Sequence, residues 1–266
     1  MNIELKDRRT VVTAGGSGIG QIIADTFARA GAKVATCDID PVCVSTAGAN
    51  PAIRCWQADI GDPGSARHFM SEAIGWLGGI DILINNAGVS GPTKQVEDIT
   101  DDEWRRTMDV NINGQFYCVR AAVPAMKAQN SGVILNISST AGRMGMPRRS
   151  VYSASKYAVR GFTDVLAIEL GEYNIRVNSI LPGVVNGARV RRVLAEQAQV
   201  VGETLEEYLP RILHNVSMHT AVEPEDVANM ALFLASDGAR YVSGQSVGVC
   251  GNLESYRGPM MIRQSP

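Results

Sequence analysis

The chain is short of several features at once, and each shortage argues against a functional class. Histidine is scarce: His68, His214 and His219 have no metal-ligand spacing, so no metal site is expected. The five cysteines, Cys37, Cys43, Cys55, Cys118 and Cys250, are odd in number and form no Cys-x-x-Cys pair. That pattern argues against a disulfide framework or a zinc site and for reduced thiols in the cytoplasm. An excess of either charge is missing as well: 25 Lys and Arg against 27 Asp and Glu leave a formal net charge of −2. No global field then invites nucleic acid or an anionic membrane surface. No apolar run approaches the roughly 20 residues of a membrane span. Residues 1–9 are polar, without the apolar core of a signal peptide. Repeats, low-complexity tracts and Pro/Ser-rich linkers are absent too.

What is present is a sizeable apolar fraction, 45% of 266 residues, expected to form one α/β domain spanning 1–266. Short apolar runs at 10–13, 33–37, 53–57, 80–84, 133–137, 175–181 and 246–249 read as strands. Helical patterns at 18–30, 64–77, 150–173 and 226–236 fall between them. Thr100-x-x-Glu103 fits a capping box opening a long helix with Trp104, Met108, Phe116 and Val119. Pro124 is expected to bend or shorten the end of that helix. Such alternation predicts a doubly wound parallel sheet of about seven strands with helices on both faces. Its ligand crevice would lie at the carboxyl ends of the strands. Residues 184–222 break the alternation: Val190, Val193, Leu194 and Val201 keep helical spacing, Gly202 interrupts, and Thr204-x-x-Glu207 caps a second helix. On the crevice side, this insertion is expected to be a substrate lid. A helical hairpin that merely completes the core would carry the same apolar stripe.

The first strand runs into Thr13-Ala14-Gly15-Gly16-Ser17-Gly18-Ile19-Gly20 and then a helix. Glycines let the backbone turn sharply against a pyrophosphate, and the helix N-terminus offers unpaired N–H groups to it. At the end of the second strand stands Asp38, placed to accept hydrogen bonds from an adenosine ribose and to repel a 2′-phosphate. No Arg or Lys occupies the glycine loop or the residues just after strand two. The cofactor expected is therefore NAD rather than NADP. Further along, Tyr152 precedes Lys156 by four residues, which puts phenol and ammonium on one helix face. A cation beside a phenol favours its ionised form, so such a pair is suited to acid/base work on an alcohol or carbonyl. Ser139 lies thirteen positions upstream of the tyrosine, at the end of an apolar run.

Taken in order, the glycine loop at 13–20, Asp59, Asn-Asn-Ala-Gly at 85–88, and Asn111 within Val-Asn-Ile-Asn-Gly resemble the single-domain short-chain dehydrogenase/reductase family. The likeness continues through Ile-Ser-Ser at 137–139, Tyr-Ser-Ala-Ser-Lys at 152–156, Arg-Val-Asn-Ser at 176–179 and Pro182-Gly183, nearly the whole chain. The resemblance implies a Rossmann-like fold and reversible hydride transfer between a secondary alcohol and NAD. Tyr152 would be the acid/base, Ser139 would bind the substrate oxygen, and Lys156 would bind the nicotinamide ribose. Asn111 would interrupt the long helix and hold a water that joins Lys156 to solvent. Gly15, Ser17, Gly18, Ile19 and Gly20 would cradle the cofactor, with Asp38 at its ribose and Asp59 and Ile60 by the adenine. Asn86 and Gly88 would form the floor under the adenosine ribose, and Pro182, Gly183 and Val185 would complete the cofactor set. A homotetramer or homodimer is implied, joined through helices within 101–129 and 150–173.

The chain departs from the family pattern at three places. Ala14 replaces the first glycine, Gly187 stands where a threonine often contacts the carboxamide, and Val249-Cys250-Gly251-Asn252 replaces Val-Asp-Gly-Gly before a tail to Pro266. That contact is lost or is supplied by Asn186 or another residue of the insertion. Arg143, Arg148, Arg149, Arg189, Arg191 and Arg192 leave two readings open. They suit an anionic substrate, because arginine grips carboxylate, sulfonate or phosphate bidentately. They equally suit a solvated face or a subunit contact, with Met144, Met146 and Met218 as an apolar wall. A polyhydroxylated substrate is a further option. The alternatives to an NAD-dependent alcohol dehydrogenase are an NADP-dependent carbonyl reductase and a catalytically silent NAD-binding regulator. Related epimerases and dehydratases share the Tyr/Lys pair but carry a larger C-terminal domain, for which this chain has little room.

Overall fold

Seven parallel strands form one sheet in the computed structural model, which describes residues 3–47 and 50–253. Strands β1 (Arg9–Val12), β2 (Lys33–Asp38) and β3 (Ile53–Gln57) alternate with helices α1 (Gly18–Arg29), α2 (Pro41–Ala47) and α3 (Pro63–Leu77). Then come β4 (Ile82–Asn85), α4 (Asp101–Met108), α5 (Gly114–Ala128), β5 (Gly132–Ile137), α6 (Ser150–Leu170) and β6 (Ile175–Pro182). Helices α7 (Ala188–Val200), α8 (Leu205–His214) and α9 (Pro224–Ala235) precede β7 (Ser246–Val249). The strand order is β3-β2-β1-β4-β5-β6-β7. It reverses direction at β1, which pairs with β2 through Val11↔Ala35 and with β4 through Val11↔Leu83. The crevice of a doubly wound sheet opens at this switch point.

Every residue of β4 and β5 is buried, because helices cover both faces of the sheet. Successive side chains still choose opposite faces. Val11, Leu83, Ile134 and Val177 pack with Phe69, Met70, Met126 and Leu166 from α3, α5 and α6. Val12, Ile84, Leu135 and Ile180 pack with Ile23, Phe27, Val227 and Leu234 from α1 and α9. A polar chain crosses this core: Asn85 Nδ2 donates to Asn136 Oδ1 at 2.8 Å, and Asn136 Nδ2 donates to Thr163 Oγ1 at 2.9 Å. It fixes β4, β5 and α6 in one register, since each misplaced amide would be left unpaired in the core.

The long helix expected after Thr100 is divided. The capping box forms, with Glu103 N donating to Thr100 Oγ1 at 3.2 Å, but α4 gives way to a π-helical turn at Asp109–Asn113 before α5 begins. Pro124 does not shorten α5, which continues to Ala128. Helix α2 went unread, as its seven residues are too few for a clear period. Residues 184–222, the insertion, hold α7 and α8. Asn186 N donates to Val222 O at 2.7 Å and Val222 N to Val184 O at 2.8 Å, tying its ends together beneath α7 and α8. The tail beyond residue 253 lies outside the described residues.

Candidate active site at the carboxyl ends of the strands

The glycine loop bends back on the ends of β1 and β2. Gly15 N donates to Cys37 O at 2.9 Å, and a Cβ on Gly15 would overlap the Thr36 hydroxyl. Ala14 adopts φ 53°, a left-handed conformation better suited to glycine. A Cβ on Gly16 would stand 2.8 Å from the Asp38 side chain, and Ser17 Oγ donates to Asp38 Oδ2 at 3.5 Å. Ser17 precedes α1 without capping it, so the N–H groups of the first turn have no side-chain partner. A bare loop, free helix N–H groups and a buried aspartate suit the pyrophosphate and ribose of a nicotinamide dinucleotide.

Thr13 and Asn86 hold the floor. Thr13 Oγ1 accepts from Asn86 N and from Ala87 N, both at 2.9 Å, while Asn86 Nδ2 donates to Thr13 O at 3.0 Å and Ala14 O at 3.1 Å. Thr13 was not singled out by motif; a hydroxyl ending a strand before a glycine loop was the available signal. Asp59 takes a bidentate ion pair from Arg106 of α4, at 2.8 and 3.2 Å, and caps Gly61 N at 2.9 Å. Ile60 is buried in the core. Neither residue, nor Asp38, lines the central cavity described below.

Asn111 sits in the π-helical turn, fully buried. Its Oδ1 accepts from Val89 N at 2.8 Å, and its Nδ2 donates to Val89 O at 3.0 Å and Ser155 Oγ at 3.0 Å. The carboxamide therefore ties the 86–89 segment to α6. Among the described residues it makes no hydrogen bond to Lys156. A Cβ on Gly88 would lie 3.3 Å from Asn111 Oδ1 and 3.4 Å from Lys156 Nζ, so glycine there lets the three groups converge. Ser155 lies within the quoted motif but had no assigned role.

Three functional groups gather at the start of α6. Tyr152 and Lys156 share one helix face, with Lys156 Nζ 5.8 Å from the Tyr152 ring centroid, and Arg149, the residue just before α6, brings its Cζ to 4.8 Å from the same ring. Lys156 is buried and donates to Ile137 O at 2.9 Å. Burial, helped by the charge of Arg189, lowers its ammonium to about 7. Burial likewise lowers the Arg149 guanidinium. Ser138 and Ser139 divide their tasks: Ser138 Oγ donates to Lys156 O at 2.9 Å, whereas Ser139 Oγ accepts from Ala141 N at 3.1 Å and keeps its own proton free. The hydroxyl of Tyr152 has no protein partner among the described residues.

A cavity of about 880 Å³ joins these parts. Ser17 to Gly20, Asn86 and Gly88 line one part of it, and Ser139, Tyr152 and Lys156 line another. Pro182, Gly183 and Val185 lie after β6, and Val190, Val193, Leu194, Tyr208 and Ile212 come from α7 and α8. Tyr208 Oη donates to Gln197 Oε1 at 3.3 Å, linking those two helices. The expected arginines separate. Arg143 donates to Ser246 O at 2.7 Å, Arg192 meets Glu196 at 4.0 Å, and Arg191 is exposed, whereas Arg148, Arg149 and Arg189 line the cavity. Asn186 also lines it while donating to Glu223 Oε1 at 3.1 Å.

Residues 13–252 match the family model described as Enoyl-(Acyl carrier protein) reductase. D-beta-hydroxybutyrate dehydrogenase of Rhizobium meliloti (strain 1021) is 34% identical over 252 residues, 92% of this chain and 97% of that protein. The crystal structure of NAD+-bound xylitol dehydrogenase superposes with a TM-score of 0.88 at 26% identity, over 92% of this chain and 98% of that one. Levodione reductase gives a TM-score of 0.88 at 28% identity, over 94% and 98%. The chain belongs to the short-chain dehydrogenase/reductase family, with the Rossmann fold of that family. It is an oxidoreductase.

Proposed function

We propose that the protein is an NAD-dependent dehydrogenase that oxidises a secondary alcohol and, in reverse, reduces the matching ketone. The observation that carries this reading is the convergence of Ser139, Tyr152 and Lys156 on one cavity that also reaches the glycine loop. NAD, when bound, supplies the hydride acceptor. Gly15, Ser17, Gly18, Ile19, Gly20, Asn86, Gly88, Pro182, Gly183 and Val185 would hold it, with Asp38 at its ribose and Asp59 and Ile60 by the adenine. Ser139 orients the substrate oxygen with its free O–H, and Tyr152 takes or returns the hydroxyl proton. Lys156 binds the nicotinamide ribose with its ammonium, and Asn111 positions the 86–89 backbone and α6. Helices α7 and α8 act as the lid over the substrate and exclude water from it. Two of the proteins named above are dehydrogenases of hydroxybutyrate and xylitol, which both carry secondary alcohols, and the latter was solved with NAD+. Five free thiols fit a cytoplasmic home, and a homotetramer is the assembly the resemblance implies.

Incubating the protein with NAD and a panel of secondary alcohols should raise the absorbance of NADH, and Tyr152→Phe should lower kcat about a hundredfold or more. Retained turnover in that variant would remove Tyr152 from the mechanism, and NAD binding without any turnover would favour a regulator. Asp38 makes cofactor choice a separate test. The kcat/KM for NAD should exceed that for NADP, and Asp38→Ala should narrow the gap; equal values in the wild type would overturn the preference.

A further inference from the structure

Arg148, Arg149, Lys156, Arg189 and Arg211 line the cavity, and among the described residues no aspartate or glutamate lines it. The cations differ in how they are compensated. Arg211 is paired with Glu203 at 2.9 Å, while Arg148 and Arg189 stand exposed to water. Lys156 belongs to the catalytic group. Arg149 is left: it is 4% exposed, and its side chain donates to two neutral acceptors, Nη1 to Thr93 Oγ1 at 3.2 Å and Nη2 to Ser90 O at 2.8 Å. A guanidinium carries five N–H donors, so three remain. Among the described residues no carboxylate bonds it; Glu196 of α7 acts on it only through space, and a charge removed from water calls for an opposite charge in contact.

We infer that Arg149 is the anchor for a carboxylate on the substrate, which makes the substrate a hydroxy acid and the product an oxo acid. This rests on the dehydrogenase reading above. The planar fork of arginine matches a carboxylate bidentately. Its position suits the chemistry, because the guanidinium lies over the Tyr152 ring at 4.8 Å, and Lys156 Nζ stands 5.8 Å from the same ring. An acid held there brings its neighbouring carbinol to the Tyr152 hydroxyl. Met144, Met146, Val190, Leu194 and Ile212 supply an apolar wall for the aliphatic part. Arg149 stands with residues 90–93 at the start of α6, whereas the glycine loop that suits the cofactor pyrophosphate follows β1.

The competing role is that of a strut, in which Arg149 merely fastens the 90–93 segment to α6. Full-length protein with NAD is assayed on α-, β- and γ-hydroxy acids and the methyl ester of each, and the acid-to-ester ratio of kcat/KM is read. The wild type should prefer one acid over its ester about thirtyfold or more. Arg149→Gln should bring that ratio near one, and Arg149→Lys, which keeps charge without the fork, should fall between. A strut would lower both activities together and leave the ratio unaltered; that outcome, or a wild-type ratio near one, overturns the proposal. Should the wild type turn over no alcohol at all, the dehydrogenase reading fails and the anchor is judged by calorimetry instead. Butyrate and butyramide are then titrated into NAD-loaded protein. Butyrate binding that butyramide does not share, and that Arg149→Gln abolishes, upholds the anchor. Equal binding, or none, sinks it.

Discussion

Lys156 holds an ammonium where water cannot reach it, with one backbone carbonyl as its hydrogen-bond acceptor. In the cofactor-free protein its folded value is about 7, against 10.5 for an ordinary lysine. Between those values the unfolded chain carries a proton that the folded chain has lost, so this group makes stability rise with pH across that window. The contribution is fully present above about 10.5 and is lost as the pH falls through about 7. Lys156→Met removes the buried charge. Its melting temperature should therefore exceed that of the wild type at pH 6, and the excess should shrink by pH 9. Thermal unfolding at the two pH values checks this, and a gap that is the same at both would assign the titration elsewhere. Tyr152 and Lys156 were legible as a pair from their spacing. The burial of Arg149 was not, because Ser90 and Thr93 reach it from 59 and 56 residues away.

Among the elements, the glycine loop shows how neighbouring positions can respond in opposite ways. Ala14 holds φ 53°, where an L side chain costs about 1 kcal/mol or more. Ala14→Gly should relieve that strain and raise the melting temperature by about 2–4 °C, as scanning calorimetry would record. Gly15→Ala should lower it, because the new methyl would meet the Thr36 side chain, whose hydroxyl donates to Val12 O at 2.7 Å. A fall for both variants would mean that the loop tolerates no change at all, strain relief included. The capping boxes at Thr100 and Thr204 were readable because a cap is local in sequence. The π-helical turn at Asp109–Asn113 was expected only as an interruption at Asn111. Its form depends on Val89 and Ser155, which the local pattern does not contain.

At the scale of the molecule, one side of the sheet carries an outer surface with unspent apolar area. Trp104 of α4, Phe116 of α5, and Tyr157, Val165 and Ile168 of α6 are exposed, Ile168 to 82%. The implied homotetramer or homodimer would cover these helices. Sedimentation velocity should find an oligomer, and Val165→Glu with Ile168→Glu should shift it to smaller species. A monomeric wild type, or an oligomer indifferent to both charges, would place the contact elsewhere.

The sequence by itself determined the alternation of seven strands with helices and the glycine loop at the switch point, and its motifs put forward the serine, tyrosine and lysine proposed for the site. These follow from periods, caps and motifs that act over a few residues. Only the tertiary structure decided that α4 and α5 are separate helices, that Asn111 clamps Val89 and Ser155, and which of six arginines stands buried at the cavity. Those outcomes depend on packing between segments distant in the chain, where burial and the need to pair every polar group select one arrangement.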